Sequence, residues 1–157
     1  MKTKKIYCCE CNKDVNARST TGEKIYPHLE SLKSKKFFIC DTCKQYIGCH
    51  PSSGKPLGAI PTKEFREIRI KIHNLIDPLW QRKKITRGKL YGLMTKKMKL
   101  NNGYHTAVLK TKEEHFLALK VATEIADYYN ENEKITFSKK DAINLVSEFN
   151  KLAVKLH

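Results

Sequence analysis

The chain has 157 residues, enough for one domain or one small domain with a helical extension, and long enough to bury a real core. No apolar run approaches the ~20 residues of a membrane span, so an integral membrane role is not expected. Thirty-one Lys and Arg against sixteen Asp and Glu give a net charge of +15, which points to a polyanionic partner.

That charge is uneven. Residues 1–62 hold 11 basic and 5 acidic side chains (+6), 63–111 hold 13 and 3 (+10), and 112–157 hold 7 and 8 (−1). A near-neutral last third means the basicity is concentrated where a polyanion would be met.

In chain order, Ile6-Tyr-Cys reads as a short strand entering Cys8-x-x-Cys11, which is answered by Cys40-x-x-Cys43. Two residues between cysteines let one tight turn aim both sulfurs at one ion. Two such turns complete a four-thiolate Zn²⁺ shell. The rival readings are a disulfide framework or four unrelated core cysteines. Met1-Lys-Thr-Lys-Lys5 is basic but leads to Cys8 with no apolar run, so no export signal is expected, and a reducing cytoplasm rarely holds structural disulfides. Zinc at Cys8, Cys11, Cys40 and Cys43 is the reading adopted. Cys9, Cys49 and His50 are spare groups that could replace a ligand, but the two pairs already fill the tetrahedron.

Between the knuckles, Asn12–Gly22 reads as polar and turn-rich, and Lys24–His28 as a second short strand stopped by Pro27. Ser31–Lys36 is a basic loop. Lys36–Cys40 is the clearest strand, with Gln45–His50 as its hairpin partner, and Pro51–Gly58 is a loop. Residues 1–61 are thus a small β-rich module of zinc-ribbon type.

The pattern then turns helical. Thr62 is an N-cap, and Phe65, Ile68, Ile72, Leu75, Ile76 and Leu79 share one face. A second stripe carries Arg66, Arg69, Ile70, His73 and Asp77, a polar seam with Trp80 beyond it. His73–Asp77 stand at i, i+4 and Arg69–Asp77 are the alternative pair. Pro78 predicts the helix end at Asp77, whose carboxylate there needs a cationic partner. Trp80 reads as a core anchor. After the basic link Gln81–Lys84, Thr86 caps a helix over 87–97 that buries Leu90, Tyr91, Leu93, Met94 and Met98. Thr111-x-x-Glu114 is a capping box for a helix to about Tyr129, and Ser138-x-x-Asp141 is a second box for a last amphipathic helix. The expected fold is α+β: the module 1–61, a helical region 62–129 packed on it and an extension 130–157, with about four α-helices in the bundle.

The ordered set of both Cys-x-x-Cys pairs, Tyr46-x-Gly48-x-His50, Pro56-Leu57-Gly58, Arg69, His73, Asp77-Pro78-Leu79-Trp80, Tyr91 and His105 resembles the zinc-finger-containing family of unknown function found in phage and prophage genomes. The resemblance runs from about Tyr7 to about Ile125. It implies a phage-type origin, a zinc site at the four cysteines, and a shared constellation of His50, Arg69, His73, Asp77, Trp80 and His105. It supplies no activity. The polar, basic insertion between the knuckles and the tail from Asn130 depart from its pattern.

Three functions follow as expectations. The first is non-specific binding of DNA or RNA as an accessory or regulatory factor. Phosphates would be met by Lys33, Lys35, Lys36, Arg82, Lys83, Lys84, Arg87, Lys96, Lys97 and Lys99, and bases would stack on Tyr26, Phe37 or Tyr46 if these face solvent. The second is a protein-binding factor acting on a host machine or defence complex. The third is a metal-dependent nuclease or hydrolase using His50, His73, Asp77 and His105, although no HNH, GIY-YIG or PD-(D/E)xK pattern is readable. An enzyme is the less favoured reading, and a cytoplasmic location is expected.

Overall fold

The computed structural model describes residues 2–132. Four strands, β1 (Thr3–Cys8), β2 (Lys13–Thr21), β3 (Lys36–Ile39) and β4 (Tyr46–Gly48), form one antiparallel sheet in the order β1-β2-β3-β4. The first knuckle is the turn between β1 and β2, and the second is the turn between β3 and β4. Each pair of cysteines therefore sits on its own hairpin, and the β2–β3 ladder joins the two. Asn12 (φ 51°) and Lys44 (φ 64°), each directly after the second cysteine of its knuckle, take the left-handed conformation that closes these turns.

The stretch 12–22 is not a loop. Most of it is β2, the longest strand. Polar Lys13, Asp14 and Asn16 stay in the ladder because β1 pairs with residues 13–18, Ser19 because β3 pairs with residues 18–21, and Ala17 is buried in the module core. Pairing overrides propensity here. Nor is Lys24–His28 a strand. Gly22–Ile25 forms one helical turn, α1, and Gly22 N–H and Glu23 N–H bond Lys35 and Lys33 carbonyls as the chain folds back toward β3. A Cβ at Gly22 would lie 1.7 Å from the Leu32 carbonyl oxygen, so only glycine fits there.

Helix α2 (Lys63–Gln81) starts as expected, with the Thr62 hydroxyl accepting from Phe65 N–H at 3.0 Å. It does not stop at Asp77. Pro78 lies inside it, and the final turn is closed by Arg82 N–H to the Pro78 carbonyl at 3.0 Å and by a Trp80 Nε1–H bond to Asp77 Oδ1 at 3.1 Å. Helix α3 (Arg87–Lys97) is capped by Thr86. Both helices end in the same motif: Lys83 N–H to Trp80 O with Lys84 N–H to Leu79 O, and Lys99 N–H to Lys96 O with Leu100 N–H to Thr95 O. Lys83 (φ 59°) and Lys99 (φ 54°) occupy the left-handed position that usually holds glycine. Helix α4, described over 112–132, opens on a reciprocal box in which Glu114 N–H donates to Thr111 Oγ1 and Thr111 N–H to Glu114 Oε2. The Ser138 box and the helix expected after it lie outside the described residues.

Among the described residues there are two cores. The sheet has a small one around Ile6, Cys8, Ala17, Phe38, Cys40, Ile47 and Ile60. The helices share a larger one that includes Ile72, Ile76, Leu79, Leu90, Met94, Ala118, Val121 and Ile125. Residues 59–60 join them: Ile60 bridges β1 beside Cys8, and Ala59 N–H bonds the Ala107 carbonyl at 2.9 Å. Gly58 is the tight point of this junction, since a Cβ there would sit 2.1 Å from the Ala107 carbonyl oxygen. Gly58→Ala should destabilise by about 1–3 kcal/mol, an overpacking penalty against rigid backbone, measurable by denaturant unfolding. Gly88→Ala, where nothing lies within 4 Å of the added carbon, should not destabilise.

Candidate functional site

The four predicted sulfurs converge. Cys8 Sγ and Cys43 Sγ are 3.5 Å apart, Cys11 Sγ and Cys40 Sγ are 3.7 Å apart, and all four lie within 4.8 Å of one another. A Zn–S length of ~2.3 Å sets tetrahedral sulfur–sulfur edges of roughly 3.8 Å, so these spacings fit one Zn²⁺. They exclude disulfides, whose sulfurs bond at ~2.05 Å, and none of the six cysteines is so paired. Cys8 and Cys40 are buried at strand ends while Cys11 and Cys43 are half-exposed on the turns.

Backbone N–H groups prepare the cluster. At Cys40, burial raises the thiol pKa, but hydrogen bonds from the N–H groups of Cys43 and Thr42 and from the Cys43 and Cys11 thiols together outweigh it and bring the thiol down to about 7. Burial pushes Cys43 up to about 11. A bound Zn²⁺ would hold all four as thiolates. Cys9 and Cys49 are not part of the set. Cys9 packs against the helical core and Cys49 against the sheet core, and burial raises both thiols.

A model of the zinc-finger-containing domain matches residues 4–125. The chain belongs to this family. No curated protein and no solved structure is found to match it. The matched span covers both knuckles, α2, α3 and α4 as far as residue 125, so the family unit includes the helices and not the metal module alone.

Within that unit the seam of α2 divides in three. Arg66 docks the sheet: its guanidinium lies 4.1 Å over the Tyr46 ring and donates to Gln45 Oε1 and the Tyr46 carbonyl, both at 3.2 Å. Arg69, 7% exposed, donates Nη1–H to Ala59 O (3.1 Å), Nη2–H to Leu109 O (2.7 Å) and Nε–H to His115 Nε2 (3.2 Å). It therefore does not pair with Asp77. Burial without a carboxylate lowers its pKa to about 10. Asp77 takes His73 as its partner, Nδ1 to Oδ2 at 3.2 Å, and Trp80 on its other oxygen. Trp80 packs partly against the core.

His115 is absent from the sequence reading, yet it is fully buried. Nδ1–H bonds the Thr111 carbonyl at 2.7 Å, Nε2 accepts from Arg69, and the ring stacks 4.1 Å from Phe65. The signal for it, a histidine within an apolar helical face of α4, is the ordinary mark of a core histidine and carries no partner information.

His50 and His105 are exposed, and His105 Nδ1 accepts from Ala107 N–H at 3.2 Å. Among the described residues, His50, His73, Asp77 and His105 do not form a second metal-type cluster. Nor do the expected stacking rings lie open. Phe37 is buried, and Tyr26, Phe37 and Tyr46 pack on one another edge-on at 5.6–6.0 Å. Lys35, Lys36, Arg82, Lys83, Arg87, Lys96, Lys97 and Lys99 are exposed; Lys33 pairs with Glu30, Lys97 with Glu124, and Lys84 reaches Asn130.

Two outcomes test this site. Serine at Cys8, Cys11, Cys40 or Cys43 should abolish stoichiometric zinc, whereas Cys9→Ser and Cys49→Ser should keep one equivalent by elemental analysis. The Arg69–His115 lock sets the acid response. Burial holds His115 below the ordinary imidazole range, as it does His105. The unfolded chain binds a proton near ~6.5 that folded His115 refuses, so its contribution is whole above that pH and is lost as pH falls through the lower folded value. Melting temperature should drop between pH 7.5 and 5.5 at constant zinc content; a flat or rising profile would contradict the lock.

Proposed function

We propose that this protein is a zinc-held basic module that binds DNA or RNA through phosphates, with little sequence preference, as an accessory or regulatory factor. A phage-type protein working in the host cytoplasm fits this reading. The observation that carries it is the +10 of residues 63–111, set between a +6 module and a −1 tail.

The placement of the cations supports it. Arg82, Lys83, Arg87, Lys96 and Lys99 are exposed around the C-terminal ends of α2 and α3 and the link between them. Two of these lysines hold left-handed backbone, where a non-glycine residue is disfavoured. Keeping charge at strained positions is what a contact function would require. The buried state of Phe37 argues against base stacking on the sheet and leaves phosphate contact as the main term. Among the described residues no helix is long and apolar enough to cross a membrane.

The test is the salt dependence of binding. About four to six phosphate contacts give a log–log slope of roughly −3 to −5. Replacing Arg82, Lys83 and Lys84 together should flatten it by up to about three units without changing zinc content. No binding to single- or double-stranded DNA or RNA at ~50 mM salt would overturn the reading and promote a protein partner in its place.

A further inference from the structure

The zinc cluster and the Arg69 lock leave one group of side chains without a role. His73, Asp77, Trp80, Arg87 and Tyr91 are linked side chain to side chain, with the buried Tyr104 against Tyr91 and His105 next to Tyr104 in the chain. Asp77 joins His73 to Trp80; the Arg87 guanidinium lies 5.6 Å from the Trp80 ring and 5.2 Å from that of Tyr91; Tyr91 meets Tyr104 edge-on at 5.7 Å; and His105 follows Tyr104 in the chain. His105 is held below the ordinary imidazole range by burial, then by the charges of His50, Arg87, His73 and Arg69, in that order. Those four charged neighbours are all basic.

We propose that this face binds a tetrahedral oxyanion of the phosphate class. Each donor is fixed at one end and open at the other. His73 is held through Nδ1 by Asp77 while its ring stays 43% exposed, which leaves Nε2 outward. His105 is held through Nδ1 by Ala107 N–H, which places the ring proton on Nε2. Arg87 is positioned by two rings and, among the described residues, has no carboxylate partner. Asp77 is the one carboxylate of the patch, and both its oxygens are committed, to His73 and to Trp80. Its charge orients an imidazole and does not repel an anion.

A metal ion fits less well. Zn²⁺ draws its ligand atoms together as the four cysteines are drawn, and these histidines are not so drawn. It would also stand beside Arg87. A phosphate, with P–O and N···O lengths added on both sides, spans donors up to roughly 8 Å apart, and it relieves the mutual repulsion of the cations. Binding should tighten as pH falls, since His73, whose Nδ1–H goes to Asp77, donates from Nε2 only as the imidazolium, whereas His105, whose Nδ1 accepts from Ala107, donates from Nε2 as the neutral ring. Arg69 stays charged, Tyr104 stays neutral with its pKa raised to about 12 by burial, and Asp77 is the acid that contacts His73 and Trp80. The inference goes beyond nucleic-acid binding and does not require it. The phosphate can belong to a nucleic-acid backbone or to a free or terminal phosphate.

The experiment is NMR of the histidine rings in the full-length, zinc-loaded protein, titrated with inorganic sulfate and inorganic phosphate against chloride at matched ionic strength. Sulfate keeps its charge across the histidine range and separates protein titration from ligand titration. The expected result is saturable movement of His73 and His105, tighter at pH 5.5 than at 7.5, with His28 unmoved. Arg87→Ala and His105→Ala should each weaken binding about tenfold, the loss of one charge-assisted hydrogen bond. Arg82→Ala, outside the patch, should not. Zinc content and melting temperature check that the variants fold, and the wild-type titration stands without them. Equal shifts with chloride, or equal weakening by Arg82→Ala and Arg87→Ala, would overturn the site in favour of diffuse screening. Two oligonucleotides of one length, with and without a 5′-phosphate, then identify the source: equal binding means backbone diester, and binding of only the phosphorylated one means monoester. Loss of nucleic-acid binding with sulfate binding intact would remove the proposed function and keep this site.

Discussion

Four sulfurs brought to one point constrain everything else in the amino-terminal half. Cys8 and Cys43 come from opposite hairpins, as do Cys11 and Cys40, so one ion crosslinks both turns of the sheet. The sheet needs that crosslink. Among the described residues its core has seven buried residues, two of them metal ligands, against fifteen in the helical core. A structural zinc site contributes an apparent ~10–16 kcal/mol at neutral pH, far more than any single hydrogen bond of about 1 kcal/mol. The metal therefore decides whether the hairpins hold, while the helices rest on apolar burial.

The two halves are locked by a buried cation. Arg69 reaches residue 59 at the end of the module, Leu109 before α4, and His115 within α4. A buried charge is tolerated when its hydrogen bonds are met, and here neutral acceptors meet them. Phe65 stacked on His115 and Arg66 on Tyr46 extend the same junction. One helical face thus serves two tasks in succession: Arg66 and Arg69 build the junction, and His73 pairs with Asp77 beyond it. A phosphate site there would sit on rigid elements, since α2 supplies His73 and α3 supplies Arg87.

Much of this was legible in the chain. The ligands, the caps at Thr62, Thr86 and Thr111, the span of α3 and the apolar stripe of α2 all depend on local spacing, which a sequence displays directly. What escaped depends on partners distant in sequence. β2 is polar and looks like a loop, and only its two neighbouring strands make it a strand. The strand expected at Lys24–His28 is replaced by a turn that Gly22 allows by fitting under the Leu32 carbonyl. Pro78 does stop most helices, but Asp77 and Trp80 hold this turn closed across it. The choice of Asp77 for His73 over Arg69 was open in the sequence, and it turned on His115, whose burial no local pattern shows.

The most direct test of the central claim is hydrogen exchange on the full chain before and after zinc is stripped by a chelator. If the sulfur tetrahedron holds the sheet, amides of β1–β4 should lose protection on chelation while those of α2 and α3 largely keep theirs, and zinc should restore the original pattern. Unchanged protection in β1–β4 after complete removal of the metal would contradict the account.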